Sequence, residues 1–496
     1  MTLFLGIDAG NTGVKAVLFD SNGVELARSV RETGSSSPGP GMVERDINRL
    51  RSDLVDLIIE ILDKSGKSGK DIGGIGTSGH GNGLYLINKD HEQVIAIQSM
   101  DTRASGIAAD WHNDGTADAA FKIAYQRPWA SQTPTLLSWM KYNKPELVDS
   151  SVHLLMCKDV ITLALTDEIV GDVTDMGGAG LLSLPENSYS DDLLEVYGLR
   201  KYSNLLPKLL WPTDIAGVVT DDFAARTGLS AGTPVVAGFF DVISSAVGAG
   251  VTKLGQTSVI IGTWSINQAI VDKPAAGVFM SCGILPGLFM AMDNSATSAT
   301  NLEWVAHHLM GGSKDAFIDA DRISFEASLT PSSPLYHPYL YGAAGDSNAR
   351  AGIFGLAGWH SAGDLMRAVF EGVAFAHVQH IETLRSADIP TEGIILSGGG
   401  SRSPVWPQML ADMLGKSVSV SSQPEAGALG AAMAAAVGTG FYQSLDEAVT
   451  SMTKAPRLVR PAISNYALYE KRYKLWRAVQ NSLTTHWETL MELRGE

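Results

Sequence analysis

The chain opens on apolar runs that alternate with tight turns. Leu3 to Asp8 (LFLGID) and Gly13 to Asp20 (GVKAVLFD) each read as a strand, and the Gly10-Asn11-Thr12-Gly13 turn between them predicts a β-hairpin. Ser21-Asn22-Gly23 then turns the chain into VELARSV, a third strand. The period changes after Asp46. Ile47, Leu50, Leu54, Leu57, Ile58, Ile61 and Leu62 recur at helical spacing behind a candidate Asp46 N-cap, which predicts a helix to Asp63. Past GIGTSG, Gly83 to Asn88 returns to strand. Residues 104–234 mix short helical stretches with turn-rich pieces. Gly232 to Asp241 (GTPVVAGFFD) reads as a buried strand ending at a polar residue, and Thr257 to Asp272 (TSVIIGTWSINQAIVD) as a second strand-rich block.

GIDAGNTGVKAVLFD and IIGTWSINQAIVD share one plan, strand, Gly/Thr/Ser turn, strand, which suggests a duplicated unit opening each half of the chain. Three later helices have readable ends. One starts with Ser361 and Asp364 at capping-box spacing. The next has Ser403 as N-cap, Pro404 at its first position and Gly415 as its stop. The third, AGALGAAMAAAVG after Pro424 and Glu425, reads as a closely packed core helix, too short and small-sided for a membrane span. A charged helical tail follows from about Ser444. We place the domain boundary after a Gly-rich run, giving 1–245 and 246–496.

Composition narrows the function classes. Of 496 residues 52 are Gly, above the usual share of about 7%, with no collagen-like period, so the glycines must serve turns or close backbone approach. The net charge of −16 and the lack of a basic run argue against a nucleic-acid partner. The two cysteines, Cys157 and Cys282, exclude a disulfide scaffold and favour a reducing cytoplasm. The N-terminus lacks a signal-peptide pattern, and a soluble protein with no membrane partner is expected.

Several motifs fail their context. GIGTSG matches G-x-G-x-x-G but runs on into a strand rather than a helix, Walker A and H-E-x-x-H are absent, and no paired C-x-x-C occurs. His377 and His380 read as a polar stripe on a packed helix. The first hairpin carries more chemistry. Gly10, Asn11, Thr12 and Gly13 form a turn whose N–H groups could cradle an anion, with Lys15 as a cation and Asp8 as a carboxylate for hydrated Mg²⁺; the bland alternative is a plain β-turn. Gly262-Thr263 is a second such turn. Gly398, Gly399, Gly400 and Ser401 join a strand to a helix with bare backbone.

Together these segments resemble the FGGY carbohydrate kinases, within the sugar kinase/Hsp70/actin superfamily. The resemblance covers most of the chain. AGIFGLAGWHSAGDLMRAVFE matches the family's C-terminal signature through Gly355, Asp364, Phe370 and Glu371. DAGNTGVK resembles its first phosphate motif, GTW from Gly262 its second, and SGGGSRSPVWPQMLAD its adenosine motif. TPTLLSWMKYN departs from the N-terminal signature, with Leu and Ser where a Lys precedes Trp.

The resemblance implies an α/β fold of two RNase H-like, actin-like ATPase domains with an interdomain cleft. The first domain would be the sugar side, and the second the ATP side with a helical tail. It implies ATP and Mg²⁺ as cofactors and transfer of a phosphoryl group to a sugar hydroxyl. Asp241 of G-x-x-D would be the general base, with Asp8 the second catalytic carboxylate and the metal ligand. Gly10, Asn11, Thr12, Lys15, Gly262, Thr263, Gly399, Gly400 and Ser401 would bind ATP. His80, Gly81, Asn82, Asp101 and Arg103, with Asp241, would bind the sugar, although each of His80, Asn82, Asp101 and Arg103 could equally be an ordinary loop or salt-bridge residue. Short segments look closer to the family's xylulose kinases, including the L-xylulose type, than to its glycerol kinases, so a ketopentose is expected first, then erythritol or another polyol, then an aldonate. The family suggests a homodimer. The alternative of another class is an actin-like nucleotide-binding module without sugar kinase activity.

Overall fold

The computed structural model describes residues 2–309, 320–324, 329–343, 346 and 348–494. The chain forms two compact units, and neither is continuous in sequence. The first comprises Met1–Leu254, Ile270–Ala291 and Glu425–Lys454; the second comprises Gly255–Ala269, Met292–Pro424 and Ala455–Glu496.

In the first unit β1 (Leu3–Ala9) and β2 (Gly13–Asp20) form the expected antiparallel hairpin, with Ala9 opposite Val14, and β3 (Glu25–Glu32) extends it. Helix α1 (Ile47–Ser65) begins where Asp46 accepts hydrogen bonds from the N–H groups of Asn48 and Arg49. It ends at Gly66, whose φ of 62° suits a residue without Cβ. Its apolar face, including Leu50, Leu54, Leu57 and Ile61, joins one core with Leu5, Ile7, Val14 and Leu18. Each such side chain contributes about 1.5–3 kcal/mol when fully buried.

β4 (Ile72–Gly79) lies parallel to β1, with Asp8 opposite Ser78, so GIGTSG is the body of a strand and not a nucleotide-binding turn. The strand order is Ile215–Val218, Pro234–Val236, β4, β1, β2, β3, and Phe239–Phe240 also pairs in parallel with β4. The expected single strand Gly232 to Asp241 is therefore broken in two. The break is Gly238, at φ 78°, where a methyl group would stand 1.8 Å from the Thr77 carbonyl oxygen. Only glycine permits that approach. Asp241 follows as the first residue of a helix, Asp241–Ala249.

The Ala426–Gly438 helix is buried on all sides from Ala426 to Ala436. It packs backbone to backbone. A methyl group on Gly6 of β1 would lie 1.8 Å from the Ala428 carbonyl oxygen, and one on Gly76 of β4 would lie 1.9 Å from that of Ala431. The Asp241–Ala249 helix meets it equally closely, through Gly248 against the Ala426 carbonyl and Gly430 against that of Ser244. Much of the glycine excess is thus explained by packing. Gly106, in the Ser105–Asp114 helix, has nothing within 4 Å of an added methyl group. Gly106→Ala is expected to raise stability by about 0.5 kcal/mol, read from a urea midpoint, because the unfolded chain loses freedom.

The second unit repeats the plan. Gln256–Ile261 and Ser265–Val271 form an antiparallel hairpin, and Gln256–Ile261 lies parallel to Glu392–Ser397, with Ile260 opposite Ser397. Val418–Val420 and Arg457–Val459 continue the sheet. The Ala362–Ser386 helix has the expected Ser361/Asp364 capping box and buries Met366, Val369, Phe370 and Val373 in a core with Trp406 and Trp476. His377 and His380 are both buried and partnered, the first by Ser265, Asn267 and Ser298, the second by Asp293 at 2.8 Å. The helix expected from Ser403 starts only at Trp406, with Pro407 in its first turn. The Ser403 hydroxyl accepts from the Val405 N–H and donates to Asp321, which holds residues 403–405 as a separate turn. Among the described residues no helix is long and apolar enough to cross a membrane.

Candidate active site

Three adjacent parallel strands of the first unit end level with one another. Ala9 is opposite Gly79 and Gly79 is opposite Phe240. The residues at and just after those ends are Asp8 and the Gly10–Gly13 turn, the His80-Gly81-Asn82 loop, and Asp241. Parallel sheets place ligands outside such carboxyl ends. Candidates far apart in the sequence of the first unit are therefore brought to one edge by strand order alone.

Asp8 is half-buried. Its Oδ1 accepts a 3.0 Å hydrogen bond from Ser78 Oγ, and its Oδ2 would stand 2.6 Å from a methyl group on Gly427, so the bare backbone there leaves room beside the carboxylate. Burial raises the Asp8 pKa, and Lys15 partly offsets this. Asp241, also half-buried, is pushed up to about 8, first by desolvation and then by the charge of Asp8. The two carboxyls thus feel one another. Lys15, expected to face phosphate, is paired with Glu425 at 3.0 Å, and Arg28 meets the same carboxylate at 2.9 Å.

The sugar-loop candidates divide. His80 is buried; its Nδ1 faces the Gly81 carbonyl at 3.3 Å and its Nε2 the Tyr85 hydroxyl at 2.9 Å. A carbonyl only accepts, so Nδ1 carries the proton and Nε2 accepts from Tyr85. Burial and the Arg45 charge hold the imidazole neutral, at a pKa of about 3. Asn82 sits at φ 62°, and its buried Oδ1 has no hydrogen-bond partner. Gly81 has no space for a side chain: a methyl group would lie 2.6 Å from the Phe240 ring and 2.9 Å from Asp175 Oδ1. Asp101 and Arg103 bind each other. Arg103 Nε donates to Asp101 at 2.9 Å, its Nη2 donates to Glu44 at 2.8 Å, and Asp101 also accepts from the Val43 N–H.

In the second unit Gly262 and Thr263 follow the end of Gln256–Ile261, and Gly398 to Ser401 follow the end of the adjacent parallel strand. The carbonyls of Gly262 and Thr263 accept from the Ala299 and Ser298 N–H groups, leaving the Thr263 side chain exposed. Ser401 donates to the Gly398 carbonyl at 2.8 Å, and Gly399 is exposed while Gly400 packs on Ile261.

Sequence reasoning missed a buried polar layer under the first-unit loops. Lys158 is fully buried between Asp159 at 2.5 Å and Asp172 at 2.6 Å, and Asp175 lies beside them with neither carboxylate oxygen hydrogen-bonded. Burial, outweighing the attraction of Lys158, raises the Asp175 pKa. Arg45 is likewise buried. No local pattern marks these residues; Arg45 stands one position before the Asp46 cap, where a surface charge is the ordinary expectation.

Comparison with known proteins identifies the family. The family model for the N-terminal domain of the FGGY family of carbohydrate kinases matches residues 3–248, and that for the C-terminal domain matches residues 257–439. An L-xylulose/3-keto-L-gulonate kinase of Escherichia coli is 31% identical over 479 residues, covering 95% of each chain. An erythritol kinase of Brucella abortus is 28% identical, covering 98% of each. The crystal structure of xylulose kinase from Rhodospirillum rubrum superposes with a TM-score of 0.89 at 25% identity, covering 98% of this chain and 100% of that one. Two matched family domains over most of the chain, on the expected two-domain α/β fold, make this chain a member of the FGGY family of carbohydrate kinases.

Proposed function

We propose that the enzyme transfers the γ-phosphoryl group of ATP to a hydroxyl of a ketopentose of the xylulose type, D or L, with erythritol, another polyol or an aldonate as the alternative acceptors. The observation that carries the reading is the pair Asp8 and Asp241 at the ends of the two strands that flank β4, where the Asp8 charge helps to raise the Asp241 pKa. Asp241 takes the hydroxyl proton as the sugar oxygen attacks phosphorus; the new O–P bond forms as the bond to the ADP oxygen breaks. Thr12, Thr263 and the N–H groups of the Gly10 and Gly262 turns hold phosphates, and Gly399, Gly400 and Ser401 lie against the adenosine. The domain 1–245 supplies the sugar side and 246–496 the ATP side.

His80, Gly81 and Asn82 meet the sugar. The unpartnered Asn82 Oδ1 suits a substrate hydroxyl, which would discriminate against analogues lacking it. Asp101 and Arg103, already paired with one another, shape the loop beside it. Among the described residues no three His, Cys, Asp or Glu side chains gather as a metal cage. A Mg²⁺ ion that keeps waters and phosphate oxygens needs only one carboxylate, and Asp8 with the open Gly427 backbone fits that role. When bound, the ion neutralises charge on the phosphates. A cytoplasmic location suits ATP chemistry and the two buried free thiols.

A panel of pentuloses, polyols and aldonates with Mg-ATP, read by ADP release, tests the reading. Highest kcat/KM on a pentulose is expected. Activity on glycerol alone overturns the pentulose assignment. ADP release indifferent to every sugar overturns the kinase reading in favour of a nucleotide-binding module.

A further inference from the structure

The backbone carbonyls of the Gly10–Gly13 turn are held from behind. Arg45, 2% exposed, donates through one terminal nitrogen to the Gly10 carbonyl at 2.7 Å and to the Asn11 carbonyl at 2.8 Å. Its other terminal nitrogen rests on Cys157 Sγ at 3.0 Å. Gln98, fully buried, donates to the same Asn11 carbonyl at 2.8 Å. No carboxylate is hydrogen-bonded to Arg45 among the described residues, which is unusual for a buried guanidinium. Burying that charge with no carboxylate hydrogen-bonded to it is costly, which asks for more than a packing role.

The peptide plane supplies the functional account. In a trans peptide the C=O and the following N–H point in opposite directions. Pinning the Gly10 and Asn11 carbonyls toward Arg45 therefore aims the Asn11 and Thr12 N–H groups the other way. Among the described residues neither N–H has a protein acceptor. Two parallel free donors on a glycine-bearing turn form an anion nest.

We infer that Arg45, assisted by Gln98, is a positioning residue that fixes the Gly10–Thr12 turn with its two N–H groups set for an ATP phosphate. Arg45 touches neither substrate nor phosphate; it acts through the turn. The inference rests on the kinase reading for the identity of the anion.

The test compares wild type, Arg45→Gln, Arg45→Lys and Gln98→Met by calorimetric titration with Mg-AMP-PNP and by steady-state kinetics. Arg45→Gln is expected to weaken nucleotide binding about tenfold, the worth of one or two lost charge-assisted hydrogen bonds. KM for the sugar should stay within about twofold, since the turn serves the nucleotide and burial, the larger influence on His80, keeps that imidazole neutral without Arg45. Arg45→Lys should restore only part of the loss, because a point charge cannot span both carbonyls and the thiol. Gln98→Met, which leaves the buried charge in place, should weaken nucleotide binding by a smaller factor in the same direction. Unchanged nucleotide affinity in both Arg45→Gln and Gln98→Met overturns the inference. So does an equal rise of both KM values, which marks general loosening. If Arg45→Gln does not fold, Gln98→Met alone decides. Wild type that binds no nucleotide fails the kinase reading itself, a result distinct from either.

Discussion

Asp241→Asn is expected to lower kcat by about 10²–10⁴-fold, the range that a positioned general base contributes, while nucleotide binding is kept. The same substitution is expected to stabilise the fold. Asp241 has a pKa of about 8 in the folded chain against 3.8 as an ordinary carboxyl. The folded state therefore holds more protons than the unfolded state between those values, and wild-type stability falls as pH rises through that window. Asn carries no titrating group. The melting temperatures of variant and wild type should lie closest below pH 4 and diverge upward, with the variant the more stable by pH 8. Near-normal turnover removes Asp241 from the role of base. A variant melting below wild type at pH 8 contradicts the environment described for its carboxyl.

The second large effect concerns Gly248→Ala. In an unconstrained helix this change would stabilise by about 1 kcal/mol. Here the added methyl group would stand 1.9 Å from the Ala426 carbonyl oxygen, and backbone cannot swing aside as a side-chain tip can. The clash decides the sign, and a loss of about 3 kcal/mol or more is expected. Chemical denaturation of Gly248→Ala beside Gly106→Ala checks it: one chemical change, two opposite outcomes. Because Gly248 lies on the helix that Asp241 begins, any folded Gly248→Ala enzyme should also lose activity. Equal stability of the two variants would show that the helix pair is not in backbone contact.

Local signals were legible where one stretch of chain contains its own cause. The Gly10–Gly13 hairpin, the Asp46 cap and the Ser361/Asp364 capping box follow from neighbours in sequence, and all three are present. The candidates Asp8, His80 and Asp241 were legible as motifs, and strand pairing brings them to one edge. What lay hidden depends on distant partners. Gly238 looks like any glycine until Thr77 is known to press against it. Arg45 looks like a surface charge until the turn carbonyls, 34 and 35 positions away, close over it. The pairings of Lys15 with Glu425 and of Arg103 with Asp101 show the converse: a cation read as a ligand group already has a partner.

The discontinuity of the two units also bears on how the protein comes into being. A ribosome releases the β1–β4 sheet early, yet the helix that covers Gly6 and Gly76 is formed by Ala426–Gly438, hundreds of residues after β4. Until that helix is made, the nascent sheet presents a bare face with nothing laid on it. The first half of the chain therefore cannot mature as it emerges. It must wait for a segment synthesised hundreds of residues later, and a chain ending before Ala426 is expected to leave that sheet face exposed.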